Sequence, residues 1–330
     1  MRTLSALVCA VLVAASVASG ADRGTIAYID EAGEIHAVAP DGSNDRKLAT
    51  AEPLQPIAYR PTQESGGRNF FTWPVWSPDA TRLAAFRVTG EGEALLDSVY
   101  VIDVATRRVV ERYERPGLRP IYAYWSPAGD RLAMLLQLDQ GFSLSIWPEQ
   151  NSEKPRSLGV GVPFFYDWSK DSKRLLAHLG NDPDSPAGHS VTMFEVEGGK
   201  RTAISKSPAV FGPASWSPDG TLLAYATLGE KNAGTLVIAD ANGKEKKSIP
   251  VSPRVAFNWS PKKQVLAVAT TKAPDDPVYG EIKIVDAKTG KGSLLVREPI
   301  SAFFWSPDGT DVLLATRDLE SGAFEWSVVD

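Results

Sequence analysis

Trp216-Ser217-Pro218-Asp219-Gly220 runs directly into the apolar stretch Thr221–Thr227, then into Val237–Asp240 and the turn Ala241-Asn242-Gly243. This stretch decides the fold because it recurs. Trp76-Ser77-Pro78-Asp79, Trp125-Ser126-Pro127, Trp168-Ser169-Lys170-Asp171, Trp259-Ser260-Pro261 and Trp305-Ser306-Pro307-Asp308-Gly309 repeat its opening. The spacings along the chain are 49, 43, 48, 43 and 46 residues. Self-similarity at such a period marks an architecture built by stacking one supersecondary unit.

Each motif precedes the same grammar. An apolar strand follows it: Arg82–Val88, Arg131–Gln137, Lys173–Leu179, Gln264–Thr270 and Asp311–Thr316 in the other copies. A further strand then ends in a turn, as at Tyr100–Asp103, Val237–Asp240 and Ile284–Asp286. Asn-Gly and Thr-Gly after a β-rich run are hairpin signals, because glycine tolerates the positive φ such turns need. Short outer strands, Lys247–Val251 and Ser293–Val296, complete the unit. Four strands per repeat without a helix-period segment predict an all-β fold, a β-propeller of four-stranded antiparallel blades. Thr25–Ile29, Glu34–Ala39 and Lys47–Thr50 read as second, third and fourth strands, with Asp41-Gly42 as hairpin turn. Ala302–Ser306, Asp311–Thr316 and Ala323–Val329 read as first, second and third. Seven blades, two of them three-stranded, fit this count better than six. A six-bladed ring with the N-terminal strands completing or extending a blade stays open as the alternative. The motif itself reads as architecture: Pro ends the inner strand, Asp accepts turn N–H groups, and Trp packs between blades.

Composition bounds the function. The 330 residues are 43% apolar, 23% charged and 9% aromatic, with a formal net charge of −5, which excludes a disordered chain and argues against nucleic-acid binding. The single cysteine, Cys9, lies in the apolar run Leu4–Val17, between Arg2 and the small residues Ala18-Ser19-Gly20-Ala21. A basic start, a short apolar core and a small-residue end read as a secretory signal peptide over residues 1–21, cleaved near Gly20 or Ala21. The expected mature chain, residues 22–330, is then one propeller domain without cysteine or an integral membrane span, exported to the bacterial periplasm.

W-S-P-D-G followed by Leu223–Ala226 and Val237–Gly243 resembles the TolB-like propeller repeat, over nearly all of the mature chain. The resemblance implies the fold and says little of function, since this propeller type hosts binding proteins, lyases and gating domains. The family's α/β domain before the propeller has no expected place here, because the repeat starts beside the cleavage site. A hydrolase domain is not expected either, since the chain ends within its last repeat and holds no G-x-S-x-G elbow.

Catalytic constellations are sparse. The three histidines, His36, His178 and His189, show no close pairing, and His178 reads as a core residue. Asp182, Asp184, Asp275 and Asp276 do not reproduce a calcium loop and read as solvated acids. We therefore expect no enzyme, no cofactor and no metal. Aromatics are the stronger signal: 18 of the 30 lie in the segments leading into and including the motif tryptophans. Arg68, Phe70, Phe71, Trp73, Tyr122, Phe164, Phe165, Phe211 and Phe303 are the expected partner-binding residues, lining a channel mouth. Phe70, Phe71, Phe164 and Phe211 are placed in the loops feeding the inner strands, the first loop (Pro61–Asn69) being the longest. Loops at Thr89–Leu96, Asn181–His189, Thr271–Tyr279 and Asp318–Glu320 would rim the mouth with carboxylates. Alanine at Phe71 and Phe164 together is expected to abolish binding with little change in melting temperature. The expected partner is a protein or an envelope polymer. A carbohydrate-active, lyase-like enzyme, or an accessory subunit of a separately encoded hydrolase or membrane complex, stands as the alternative.

Overall fold

The computed structural model describes residues 25–39, 42–50, 68–90, 96–116, 118–139, 141–148, 154–182, 185, 188–205, 214–273, 276, 278–318 and 323–330. The expected propeller sheets are present. β1 (Ile26–Ile29), β2 (Ile35–Val38) and β3 (Arg46–Ala49) form a three-stranded sheet. β4 (Arg68–Trp76), β5 (Arg82–Gly90), β6 (Leu96–Asp103) and β7 (Arg108–Pro116) form the next. β8 (Pro120–Trp125), β9 (Leu132–Leu138), β10 (Gly141–Trp147) and β11 (Arg156–Gly161) follow. Three sheets then come in order. They are β12 (Phe164–Trp168), β13 (Arg174–Gly180), β14 (His189–Glu195) and β15 (Arg201–Ser205); β16 (Ser215–Trp216), β17 (Leu222–Leu228), β18 (Gly234–Asp240) and β19 (Glu245–Val251); and β20 (Val255–Trp259), β21 (Val265–Thr270), β22 (Glu281–Asp286) and β23 (Gly292–Val296). β24 (Ile300–Trp305), β25 (Val312–Arg317) and β26 (Phe324–Val329) come last, as a second three-stranded sheet. Seven antiparallel sheets, two of them three-stranded, are what the strand count predicted. The expected boundaries are met within a residue or two at most strands, but β4, β6, β18 and β22 start earlier than their sequences suggested.

These residues fall into two compact units. The first holds the described residues up to Trp125 with Gly129–Leu136, Pro148 and Lys154; the second holds 126–128, Gln137–Trp147 and the described residues from Pro155 on. In the first, Ala27, Ile35, Ala37 and Leu48 pack with Phe71, Trp76, Leu83 and Tyr100 in one core spanning two sheets. In the second, Leu176, Val191 and Met193 meet Trp216, Leu223 and Tyr225, and the next core gathers Leu236 and Ile238 with Phe257 and Trp259. A motif tryptophan thus packs against the preceding sheet, where its broad ring removes much apolar area from water. Second strands are buried on both faces: Leu83, Ala84, Ala85 and Phe86 are consecutive and all inside. That is why these segments read as continuous apolar runs without a two-residue alternation. Outer strands are polar and exposed, as in β19.

The motif does more than its composition suggested. Its serine is a polar hub: Ser77, Ser169, Ser217 and Ser306 donate to Asp79, Asp171, Asp219 and Asp308 at 2.6, 2.6, 2.7 and 2.6 Å. The same hydroxyls accept the backbone N–H five residues on, at 2.8–2.9 Å. The Ser306 hydroxyl, then the Thr310 hydroxyl and N–H, hold the Asp308 carboxyl down to about 2. The tryptophans also make polar ties. The indole N–H of Trp125 donates to the Val75 carbonyl and that of Trp305 to the Asn258 carbonyl, both at 3.1 Å. Each acceptor directly precedes the previous motif tryptophan. Arg82 and Arg174 lie 4.8 Å over the rings of Trp125 and Trp216, adding cation–π attraction.

Candidate functional site

The inner strands β4 and β8 are both irregular, and both lie in the first unit up to Trp125. β4 contains Trp73-Pro74. Proline has no N–H for the ladder, so the register against β5 shifts between Thr72 and Val75. Trp73 takes up the extra length with φ at +52°, a left-handed backbone that costs a non-glycine residue on the order of 1–2 kcal/mol. β8 is irregular too, between Pro120 and Tyr122 against β9. Bulges re-aim side chains and are common beside functional sites.

The two irregularities bring three aromatic rings together. Trp73 lies 5.8 Å from Tyr122 and 6.1 Å from Tyr124, and the two tyrosines are 5.7 Å apart. The Trp73 indole N–H is fixed by the Ala123 carbonyl at 3.0 Å. Tyr122 is the inner member: burial first, and the neighbouring Tyr124 second, push its hydroxyl well above the usual phenol range. Tyr124 is 36% exposed and Ile121 40%, so the cluster opens to solvent along β8. Rings held rigidly with one edge wet suit binding of an apolar or ring-bearing group at small entropic cost.

The other expected residues have different places. Phe71 is an internal residue of β4, 3% exposed, edge-on to Tyr100 at 5.7 Å and near the guanidinium of Arg87. Phe164 opens β12 and is 2% exposed. Both are strand core residues, which corrects their placement in feeding loops. The expectation that both could become alanine at unchanged melting temperature goes with it. Phe70 is half-buried in β4, seated on the β1–β2 turn at Gly33, where a Cβ would stand 2.4 Å from that of Phe70. Gly33, at φ +78°, has to be glycine on both counts, and its carbonyl accepts the Phe71 N–H. Phe165 is half-buried and edge-on to His178, while Phe303 packs on the core of the last sheet. Arg68 is the first residue of β4. Phe211, residues 61–67 of the long loop, and the acids Glu91, Glu93, Asp184, Asp275 and Glu320 lie outside the described residues. Of the rim acids described, Asp182 is buried and paired with Arg201 at 3.0 Å, so it faces inward, against expectation. Asp276 is turned to the backbone N–H of Ala273.

Tyr124 is the residue the candidate set lacked. The signal was available: Tyr122 and Tyr124 alternate with the buried Ala123 and Trp125, which puts both tyrosines on one strand face.

Among the described residues, one group of three has metal-ligand chemistry: Asp30, Glu34 and His36. Its members already have protein partners. His36 Nε2 lies 3.3 Å from Asp30, Nδ1 faces Asp45 at 3.1 Å, and Lys47 pairs with Glu34. The Tyr28 hydroxyl, then His36, hold the Asp45 carboxyl below the usual range. This network fastens the three strands of the first sheet together.

Comparison with known proteins gives three kinds of likeness. The family described as eukaryotic translation initiation factor eIF2A matches residues 163–295. A subunit of eukaryotic translation initiation factor 3 from Bombyx mori is 26% identical over 185 residues, 49% of this chain and 25% of that protein. The chain thus spans a quarter of the length of that curated relative. Among solved structures, a chain of the mitotic checkpoint complex superposes with TM-score 0.56 at 15% identity, over 92% of this chain and 83% of its own. An uncharacterized protein of Listeria monocytogenes EGD-e gives 0.59 at 12% identity, over 94% and 92%. TolB from Acinetobacter baumannii gives 0.47 at 15%, over 94% and 77%. Among the described residues, no helix is long and apolar enough to cross a membrane. At these identities the structural likeness carries the fold alone: the chain is a β-propeller of seven sheets.

Proposed function

We propose that this protein is a non-catalytic binding or scaffolding propeller of TolB-like type, exported to the periplasm. It recognises a protein or envelope-polymer partner at the Trp73–Tyr122–Tyr124 cluster. One observation carries the reading: two adjacent inner strands are both deformed, one at the expense of a strained tryptophan, to hold three rings together at the surface. Export is supported by the composition of residues 1–21, and is tested by N-terminal sequencing of protein recovered from the periplasmic fraction. The partner site is tested with Tyr124→Ala combined with Ile121→Ser, both at exposed positions. The tagged variant should lose the partner that the parent retains from envelope extracts, at an unchanged melting temperature. Equal recovery by variant and parent would refute the site.

A further inference from the structure

The six motif copies differ from one another in an ordered way. The third position is Pro in five copies and Lys170 in the remaining one; the fourth is Asp in four copies, Ala128 in one and Lys262 in another. The fifth is Gly in three copies and Lys263 beside Lys262. Three lysines therefore stand where the chain's own repeat asks for turn-forming residues. They do not scatter. Lys170, Lys262 and Lys263 line one cavity of about 300 Å³ together with Asp219, Gln264 and the prolines of two motif turns. Three successive turns of the second unit contribute to it.

The substitutions cost the turn something. Lys263 does not adopt the left-handed backbone that Gly220 and Gly309 use at that position. Without the aspartate, the Ser260 hydroxyl is left with long contacts to the N–H groups of Lys262 and Lys263, at 3.5 and 3.3 Å. Gly220 gives Lys170 its place: a Cβ there would stand 3.1 Å from the lysine's. Among the described residues, none of the three ammonium groups has an anionic partner. Asp219 does not serve as one. Its carboxylate accepts the Ser217 hydroxyl, the Thr221 N–H and hydroxyl at 2.7, 2.9 and 2.8 Å, and the Gln264 amide. With Asp219 also in the lining, the concavity carries three positive charges against one negative, a net excess that draws anions in.

We propose that this cavity binds a phosphate monoester. Its dianion presents three terminal oxygens, one for each ammonium group approaching from a different turn position, and lysine serves as a point-charge phosphate ligand. The cavity has room for the ester substituent as well as the phosphate. The site shares no residue with the aromatic cluster and stands whether or not that reading holds.

The test uses the full chain and variants that restore the repeat: Lys170→Pro, and Lys262→Asp with Lys263→Gly. Because these residues form the same turn elsewhere in the molecule, the variants should fold and melt no lower than the parent. Calorimetric titration with inorganic phosphate at low ionic strength should show saturable binding. Affinity should fall roughly tenfold for each charge-assisted contact removed. Glycerol 3-phosphate and phosphatidylcholine vesicles with and without phosphatidic acid distinguish the sources. Binding of the former alone assigns a soluble ester, and co-sedimentation only with phosphatidic acid assigns a lipid headgroup. Phosphate affinity within twofold of the parent in the double variant, displacement of phosphate by equimolar chloride, or no binding in any arm would overturn the proposal.

Discussion

Asp167 gives the sharpest quantitative prediction. It sits in β12 between Tyr166 and Trp168, and accepts the backbone N–H of Trp216 in the two-residue inner strand β16 at 2.8 Å. Burial pushes its carboxyl from 3.8 up to about 6, against the opposing pull of the N–H groups of Trp216 and Trp168. An acid whose pKa is raised on folding binds its proton more tightly in the folded state. Between the two pKa values stability therefore falls as pH rises, and near neutral pH the ionised group is a standing penalty. A shift from 3.8 to about 6 corresponds to roughly 3 kcal/mol. Asp167 is half-buried, and solvent screening leaves about 1–2 kcal/mol of this as the expected effect. Asp167→Asn keeps an acceptor for the Trp216 N–H and removes the charge. Its melting temperature should exceed the parent's by about 2–6 °C at about pH 7.5, and the gap should narrow to roughly half by about pH 5 and close only below about pH 4. Thermal unfolding by circular dichroism across that range is the assay. A gap that is absent at about pH 7.5, or that is constant with pH, would refute the reasoning.

Other consequences follow from the same geometry. Phe164→Ala should cost about 3–5 kcal/mol by opening a cavity, read as a fall in denaturant midpoint, whereas Tyr124→Ala should move the midpoint little. Trp125→Phe deletes the indole bond to Val75 and should cost about 1–2 kcal/mol in the same titration. The turn aspartates titrate with the opposite sign to Asp167: Asp308 is depressed to about 2, so its contribution is whole above about pH 4 and is lost toward about pH 2. Asp308→Asn should accordingly melt lower than the parent near neutral pH and show a shallower decline between about pH 4 and about pH 2.

Within the candidate site, legibility followed the range of the interaction. Trp73 and Tyr122 could be singled out because aromatics were concentrated before each motif, and β8's alternation also pointed to Tyr124. Phe71 and Phe164 looked equivalent to them in sequence. What separates the two pairs is packing across strands: Tyr100 and Arg87, on β6 and β5 of the same sheet, close over Phe71, while the shift at Trp73-Pro74 turns its ring toward Tyr122. Pro74 marks the shift in the sequence, but the closure over Phe71 leaves no mark in local composition. The aspartates show the same limit, since Asp182 reads as a loop acid and is buried by its pairing with Arg201.

The sequence by itself determined the repeated unit and its strand order, and favoured seven sheets over six, because turn chemistry and strand burial act between residues close along the chain. Only the tertiary structure decided which aromatics are core and which reach solvent. It alone gathered Lys170, Lys262 and Lys263 into one cavity. Those outcomes depend on how successive sheets stack, and stacking places side by side residues that lie a full repeat apart.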